Sequence, residues 1–421
     1  MNNHKQSKII IAVLSITFVS KLLETVSPTL HLIGGALHVP YTSLMLMLTI
    51  PVLISMPVAL LVGPITGTVL RYRTVISAGL LMMFIGGMAP FWLRDWTLIL
   101  VARGIFGIGQ GIIMPLVLAL IFGLVAPENQ ATMMGMQNVV SGVAGMVFSL
   151  AAGILAGMSW TYPFLLNGIT LIVLVIVLLF LPEPQRHELP ASEKLTRKSM
   201  SLGGLPSAVW IYGALTLFYA VLVFPSMGNI SIVFHQLGLS PALAGTALML
   251  LTGGATVAGL IFGKLFKNFG LKTISIGFAA ACVSQWLFAI GSNFYMFAVG
   301  ELLLGFGALG LAFGGLCMAA GKAVPRERSA VVMSITLTGM NAGTFASPLI
   351  FSGLMSLVGT TSMRFPYWVS VIGFAALAIS SLFLKQSAPA STEQEPYELP
   401  LPQVPPPPRG CDVPHPRPRR T

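Results

Sequence analysis

Twelve stretches of about twenty apolar residues follow one another along this chain, and that succession leaves it few ways to fold. They occupy 9–33, 42–63, 74–93, 97–124, 132–157, 160–181, 207–234, 242–263, 273–291, 294–321, 330–357 and 365–384, and are numbered here as spans 1 to 12. Roughly 20 helical residues cross the ~30 Å core of a bilayer, where every backbone N–H and C=O must find its partner inside its own segment. Charged residues make up only 8% of the chain, against about 25% in a soluble domain, so water cannot be what surrounds most of its surface.

The longest polar stretch between spans is 182–206, with Glu183, Arg186, Glu188, Glu193, Lys194, Arg197 and Lys198, and it divides the spans six and six. The expected domains are therefore a six-helix bundle over 1–181, a cytoplasmic linker over 182–206, a second bundle over 207–386 and a tail over 387–421. Residues Met1 to Lys8 are short and polar, and the apolar run behind them has no A-x-A-like cleavage site, so it reads as a first span rather than a signal peptide. With the N-terminus inside, the interior segments hold Lys5, Lys8, Arg71, Arg73, the linker cations, Lys264, Lys267, Lys272, Lys322, Arg326 and Arg328. The exterior loops hold only Arg94 and Arg364. This asymmetry places both termini in the cytoplasm of a cell whose inner, cytoplasmic membrane the chain crosses. It also accounts for the net charge of +11 without nucleic acid as a partner. The tail is expected to be disordered: Pro405 to Pro408 could present a polyproline segment to an aromatic-lined partner domain, or the tail is dispensable.

The halves repeat at an offset of 198 residues. Arg103-Gly104-Ile105-Phe106-Gly107-Ile108-Gly109 in span 4 corresponds to Glu301-Leu302-Leu303-Leu304-Gly305-Phe306-Gly307 in span 10, and Pro127 to Pro325. Gly145-x-x-x-Ser149 in span 5 corresponds to Gly343-x-x-x-Ser347 in span 11. Small residues at this spacing let helices approach closely, and paired six-span repeats build a site at the midplane between two halves that rock around it. The expected fold class is an all-α membrane protein, twelve transmembrane helices in two pseudo-symmetric six-helix bundles.

With these motifs the chain resembles the major facilitator superfamily over residues 8–385. That family carries a loop of the form G-x-L-x-D-R-x-G-R-K between spans 2 and 3. Here Gly63, Arg71 and Arg73 keep its first glycine and basic end without the Asp, and the repeat copy keeps Gly263 and Gly270 with Lys267 at the acidic position. The span-4 pattern R-x-x-x-G-x-G is complete at Arg103, Gly107 and Gly109. The span-5 antiporter pattern G-x-x-x-G-P is reduced to Gly145, Ser149 and Leu150. The resemblance implies a gating role for the loop motif and a central cavity lined by spans 1, 4, 5, 7, 8, 10 and 11.

Ionisable groups within spans are costly and so are candidates for function. Only Lys21, Glu24, Arg103 and Glu301 lie well inside. At about 1.5 Å of rise per residue, Glu24, Arg103 and Glu301 share one depth in the outer half, with Lys21 one turn deeper. A Glu24–Arg103 pair at the cavity wall, released when Glu24 takes a proton, would couple transport to protons. A permanent Lys21–Glu24 or Arg103–Glu24 bridge that only fixes helix register is the alternative, and Glu301 reads equally as a proton site or a fixed counter-charge. Gln110, Gln137, Asn138, Asn229 and Asn341 are candidate cavity residues, each equally readable as interhelical glue, as are Asn167 and Gln285. His31 near the outer mouth is a lesser proton candidate.

No nucleophile–base constellation, metal cluster or phosphate loop occurs, so no cofactor, metal or enzymatic activity is expected. The expected function is secondary active transport of a small organic solute by alternating access, as proton-coupled efflux of a lipophilic or amphipathic compound. The partners are then that substrate, protons and the lipid bilayer. The alternative is a permease for a small organic anion held by Lys21 and Arg103.

Overall fold

The computed structural model describes residues 3–66, 70–125, 127–181, 206–324 and 329–384. The predicted linker, apart from Pro206, and the tail over 387–421 lie outside the described residues. Among the described residues, twelve helices are long and apolar enough to cross a membrane. They are Lys8–Leu37, Thr42–Val62, Tyr72–Phe91, Trp96–Ile121, Thr132–Ala156 and Tyr162–Phe180 in the first bundle. The second bundle has Ser207–Gln236, Pro241–Phe269, Lys272–Ile290, Phe294–Gly321, Val332–Val358 and Phe365–Leu382. Large apolar side chains such as Leu179, Leu260, Leu357 and Ile372 are exposed on their outer surfaces, as lipid-facing positions require.

Each bundle has its own apolar core, one running from Ile9 to Leu181 and the other from Val209 to Leu377. A third cluster sits where the bundles meet, joining Val26, Leu30, Ile33, Met45 and Leu48 of the first to Phe224 of the second.

The 198-residue repeat is visible in the packing. Asp95 caps span 4 by accepting from the Leu98 N–H at 2.9 Å, and Asn293 caps span 10 by accepting from Met296 at 3.1 Å. Farther down, a Cβ at Gly109 would lie 2.5 Å from the Gly79 carbonyl oxygen, and one at Gly307 would lie 2.6 Å from that of Gly277. Gly109 and Gly307 are 198 residues apart, and so are Gly79 and Gly277. The copies are not identical, since span 10 passes through π-helical turns at Gly305–Ala312 and span 4 does not.

The second copy of the loop motif does not begin where the sequence suggested. Gly263 lies inside span 8, which continues to Phe269 with Phe266 buried and Lys264 and Lys267 exposed. Gly270, at φ +55°, is what ends the helix. In the first copy the span-2 helix likewise runs past Gly63 to Ile65. Arg71 precedes the span-3 helix, and Arg73 donates to the Leu178 carbonyl at the end of span 6.

Candidate functional site

Span 1 is not one continuous α-helix. It tightens into 3-10 turns at Ser20–Thr25 and Ser27–Thr29 before resuming at Leu30. Pro28 explains the break: it has no N–H for the Glu24 carbonyl, and its ring crowds that carbonyl. The hydroxyls of Ser20, Thr25 and Thr29 bond back to the carbonyls three residues earlier and hold the tight turns.

The break carries the ion pair. Lys21 Nζ lies 3.0 Å from Glu24 Oε1, with the two side chains 31% and 26% exposed. The other carboxylate oxygen accepts from Thr252 Oγ1 of span 8 at 3.5 Å. A Cβ at Gly145 of span 5 would approach that same oxygen to 2.5 Å. Glu24 is therefore wedged where span 5 of one bundle meets span 8 of the other, with part of its side chain left exposed.

The expected Glu24–Arg103 pair does not form. Arg103 is fully buried and turned toward span 2: its Nε donates to the Met47 carbonyl at 3.2 Å and its guanidinium lies 4.5 Å from the Phe106 ring centroid. Neither of its Nη atoms has a hydrogen-bond partner among the described residues. The face of span 4 that carries Arg103 packs on span 2, with Gly107 against Pro51, while Lys21 is already one turn from Glu24. Glu301 is fully buried too, with both oxygens unpartnered among the described residues. Arg103 and Glu301 stand at the same distance along their helices from the caps Asp95 and Asn293, each sealed inside its own bundle rather than open to a central space.

The uncharged candidates scatter. Gln137 is half-buried and Asn138 exposed on span 5, and Asn341 is half-buried on span 11. Gln110 is half-buried, with Oε1 unpartnered among the described residues. Asn229 is buried and donates to the Met363 carbonyl at 3.4 Å, a strut within the second bundle. Sequence reasoning missed Thr252 and His235. The spacing of Pro28 four residues after Glu24 was the available signal for the break, but nothing distinguishes Thr252 from the other span threonines.

Contacts between the bundles gather toward the end of the molecule away from the N-terminus. The Ser231 hydroxyl donates to the Pro28 carbonyl at 3.0 Å and accepts from the His31 N–H at 3.2 Å, and the His31 and His235 rings stack. Thr42 and Ser352 hydroxyls meet at 3.0 Å, and Gly153 lies so close to span 8 that a Cβ would be 2.7 Å from the Pro241 oxygen. Toward the N-terminal end the packing loosens: Met134, Met136 and Asn138 are exposed, and a Cβ at Gly135, Gly259 or Gly263 would meet nothing within 4 Å. A separate cleft of about 180 Å³ opens at that end within the first bundle, among Ile9, Leu124, Asn129, Thr132 and Met136 of spans 1, 4 and 5. The bundles are thus joined at one end and parted at the other, with Glu24 and Thr252 between.

Comparison with known proteins agrees with this architecture. The structure is similar to that of the nucleoside transporter NupG (D323A mutant), at a TM-score of 0.73 and 12% identity over 90% of this chain and 99% of the other. It is also similar to a bacterial homolog of the human lysosomal transporter Spinster in its inward-facing, occupied conformation, at a TM-score of 0.69 and 14% identity over 91% and 97%. Two curated fungal proteins match in part. The efflux pump apf11 of Gibberella fujikuroi is 27% identical over 42% of this chain, and the aspyridones efflux protein apdF of Emericella nidulans is 25% identical over 30%. The matched segments span 30% and 24% of those relatives, less than a third of their length. The Major Facilitator Superfamily sequence profile matches residues 9–270 and 216–415, and the chain belongs to that superfamily of transporters.

Proposed function

We propose that this transporter exports a lipophilic or amphipathic compound by alternating access in exchange for protons, with Glu24 as the coupling carboxylate. It does so in the cytoplasmic membrane with both termini inside, an orientation supported by the Lys and Arg asymmetry of its loops. The observation that carries the reading is the partly exposed Lys21–Glu24 pair at the break in span 1, touching span 8 of the opposite bundle through Thr252. A carboxylate held by a cation from its own bundle and a hydroxyl from the other changes surroundings whenever the bundles rock, which is what coupling requires. A proton on Glu24 removes the attraction to Lys21. The seam between the bundles is apolar and adaptable: the sulfurs of Met45 and Met146 face Gly228 and Gly253 of the second bundle. The names of the two fungal relatives point the same way.

The anion-permease alternative has less support, because it needs Lys21 and Arg103 on one carboxylate and Arg103 is buried against span 2. Proton flux in proteoliposomes, followed with an internal pH dye across a panel of lipophilic compounds, tests the proposal. Compound-dependent proton entry that vanishes in Glu24→Gln is the expected result. Carboxylate uptake that is lost in Lys21→Ala and needs no proton would replace it with the permease reading.

A further inference from the structure

We propose that His31 and His235 form a second proton-binding site, separate from Glu24, which latches the end of the molecule away from the N-terminus. Their rings, one from each bundle, stack with centroids 3.5 Å apart and planes 19° from parallel. The rings are held there by backbone: Ser231, one turn before His235, bonds both the Pro28 carbonyl and the His31 N–H. The latch thus closes on the same broken stretch of span 1 that carries Glu24.

Two neutral imidazoles, or one neutral and one protonated, stack favourably. Two imidazolium rings at 3.5 Å repel, and imidazole is the side chain that gains its charge within the range of about pH 5 to 8. Among the described residues neither ring has a carboxylate partner, and the other charges of this end are engaged elsewhere: Arg94 with the Phe91 and Leu93 carbonyls, Asp95 with the Leu98 N–H and Arg364 with the Ala289 carbonyl. The far ends of spans 5 and 8, from Ser149 to Ala156 and from Pro241 to Leu251, contain no Asp, Glu, Lys, Arg or His. Span 2 begins with Tyr41 and the loop before it brings only His38. On span 1 the next charges are Lys21 and Glu24, already paired with each other. His235 is exposed and His31 half-buried, so protons reach the stack from that side of the membrane. Acid on that side therefore separates the rings and opens the end through which Glu24 would be loaded. The latch operates whether or not Glu24 couples transport.

The test reads conformation rather than transport. Spin labels go on Thr97→Cys and Tyr295→Cys, exposed and repeat-equivalent positions in the first turns of spans 4 and 10, after replacement of Cys282, Cys317 and Cys411. Pulsed electron–electron distances in lipid nanodiscs are compared at pH 8 and pH 5. In the parent protein the long-distance population should rise on the order of tenfold at pH 5. In His31→Gln and in His235→Gln, each of which can hold only one charge, that rise should disappear while the pH 8 distance is kept. Ser231→Ala should loosen the closed state at both pH values and leave the pH response intact, which separates the latch from mere packing. An equal acid response in the His31→Gln/His235→Gln double variant, or none in the parent protein, overturns the proposal. Glu24→Gln in the same background should respond to acid as the parent does, so failure of the coupling reading is distinguishable from failure of the latch.

Discussion

Spans 1 and 7 open the two bundles and carry prolines one residue out of repeat register, Pro28 and Pro225, yet they differ in backbone and in charge. Span 1 breaks twice around Pro28 and carries Lys21 and Glu24. Span 7 runs as one α-helix from Ser207 to Gln236 with no Lys, Arg, Asp or Glu, and its mid-span Asn229 serves as a strut. Spans 4 and 10 show the opposite relation. Their caps, their glycine contacts and the burial of Arg103 and Glu301 match position for position. The scaffold is therefore symmetric, while the accessible ionic chemistry belongs to the first bundle. In the proposed coupling, a bundle that only packs and pivots can be copied, whereas the carboxylate that exchanges partners sits on an irregular backbone, and one copy is enough.

The symmetry is the easiest half of this comparison to break. Gly109→Val and Gly307→Val each force a side chain onto a backbone carbonyl that a Cβ already approaches to 2.5 and 2.6 Å. Overpacking of this kind costs about 1–3 kcal/mol where neighbours can yield, and more against backbone. Both variants should lose most monodisperse protein in detergent size-exclusion chromatography, and by similar amounts. Tolerance in one bundle only would mean that the π-helical turns of span 10 have loosened the second copy.

The asymmetry is sharpened by removing one carboxylate at a time. Glu24→Gln should abolish accumulation driven by a pH gradient, a loss of tenfold or more, while preserving downhill exchange, because the neutral amide mimics the protonated acid and lets the carrier reorient. Glu301→Gln should keep gradient-driven flux within about twofold, since its carboxyl is fully buried, makes no hydrogen bond among the described residues and is reached by no cation there. Flux in proteoliposomes with and without an imposed gradient measures both. The reverse ranking would move coupling into the second bundle.

Much of this was legible in the sequence. The twelve spans, the six-and-six division and the 198-residue register follow from hydropathy, spacing and the glycines of spans 4 and 10. The four intramembrane charges could be picked out because such groups are rare. Their partners could not. Residue counting gave depth but not rotation, and it is rotation that turns Arg103 toward Met47 and away from Glu24. The 3-10 turns that set the direction of Glu24 arise from Pro28, whose effect on a carbonyl four residues earlier leaves no trace in a hydropathy pattern. Thr252 and His235 became informative only when the other bundle was placed beside them.

The smallest effect tests whether the joined end is held at several points or at one. Thr42 and Ser352 share a 3.0 Å hydrogen bond between spans 2 and 11, on the second seam between the bundles. Thr42→Val keeps the volume and removes the hydroxyl, leaving Ser352 half-exposed and free to bond water. The expected cost is about 0.5–1 kcal/mol, the net contribution of one such bond. A difference of that size changes the balance between end-joined and end-parted forms by a factor of about 2–5 and leaves overall stability close to that of the parent. The same pair of spin labels at positions 97 and 295 reads it, now at pH 8. Ser231→Ala should shift the population further than Thr42→Val, because Ser231 holds two bonds across the first seam and Thr42 holds one across the second. If Thr42→Val shifts it more, the span 2–span 11 seam is the principal clasp of that end, and the histidine corner follows its opening instead of setting it.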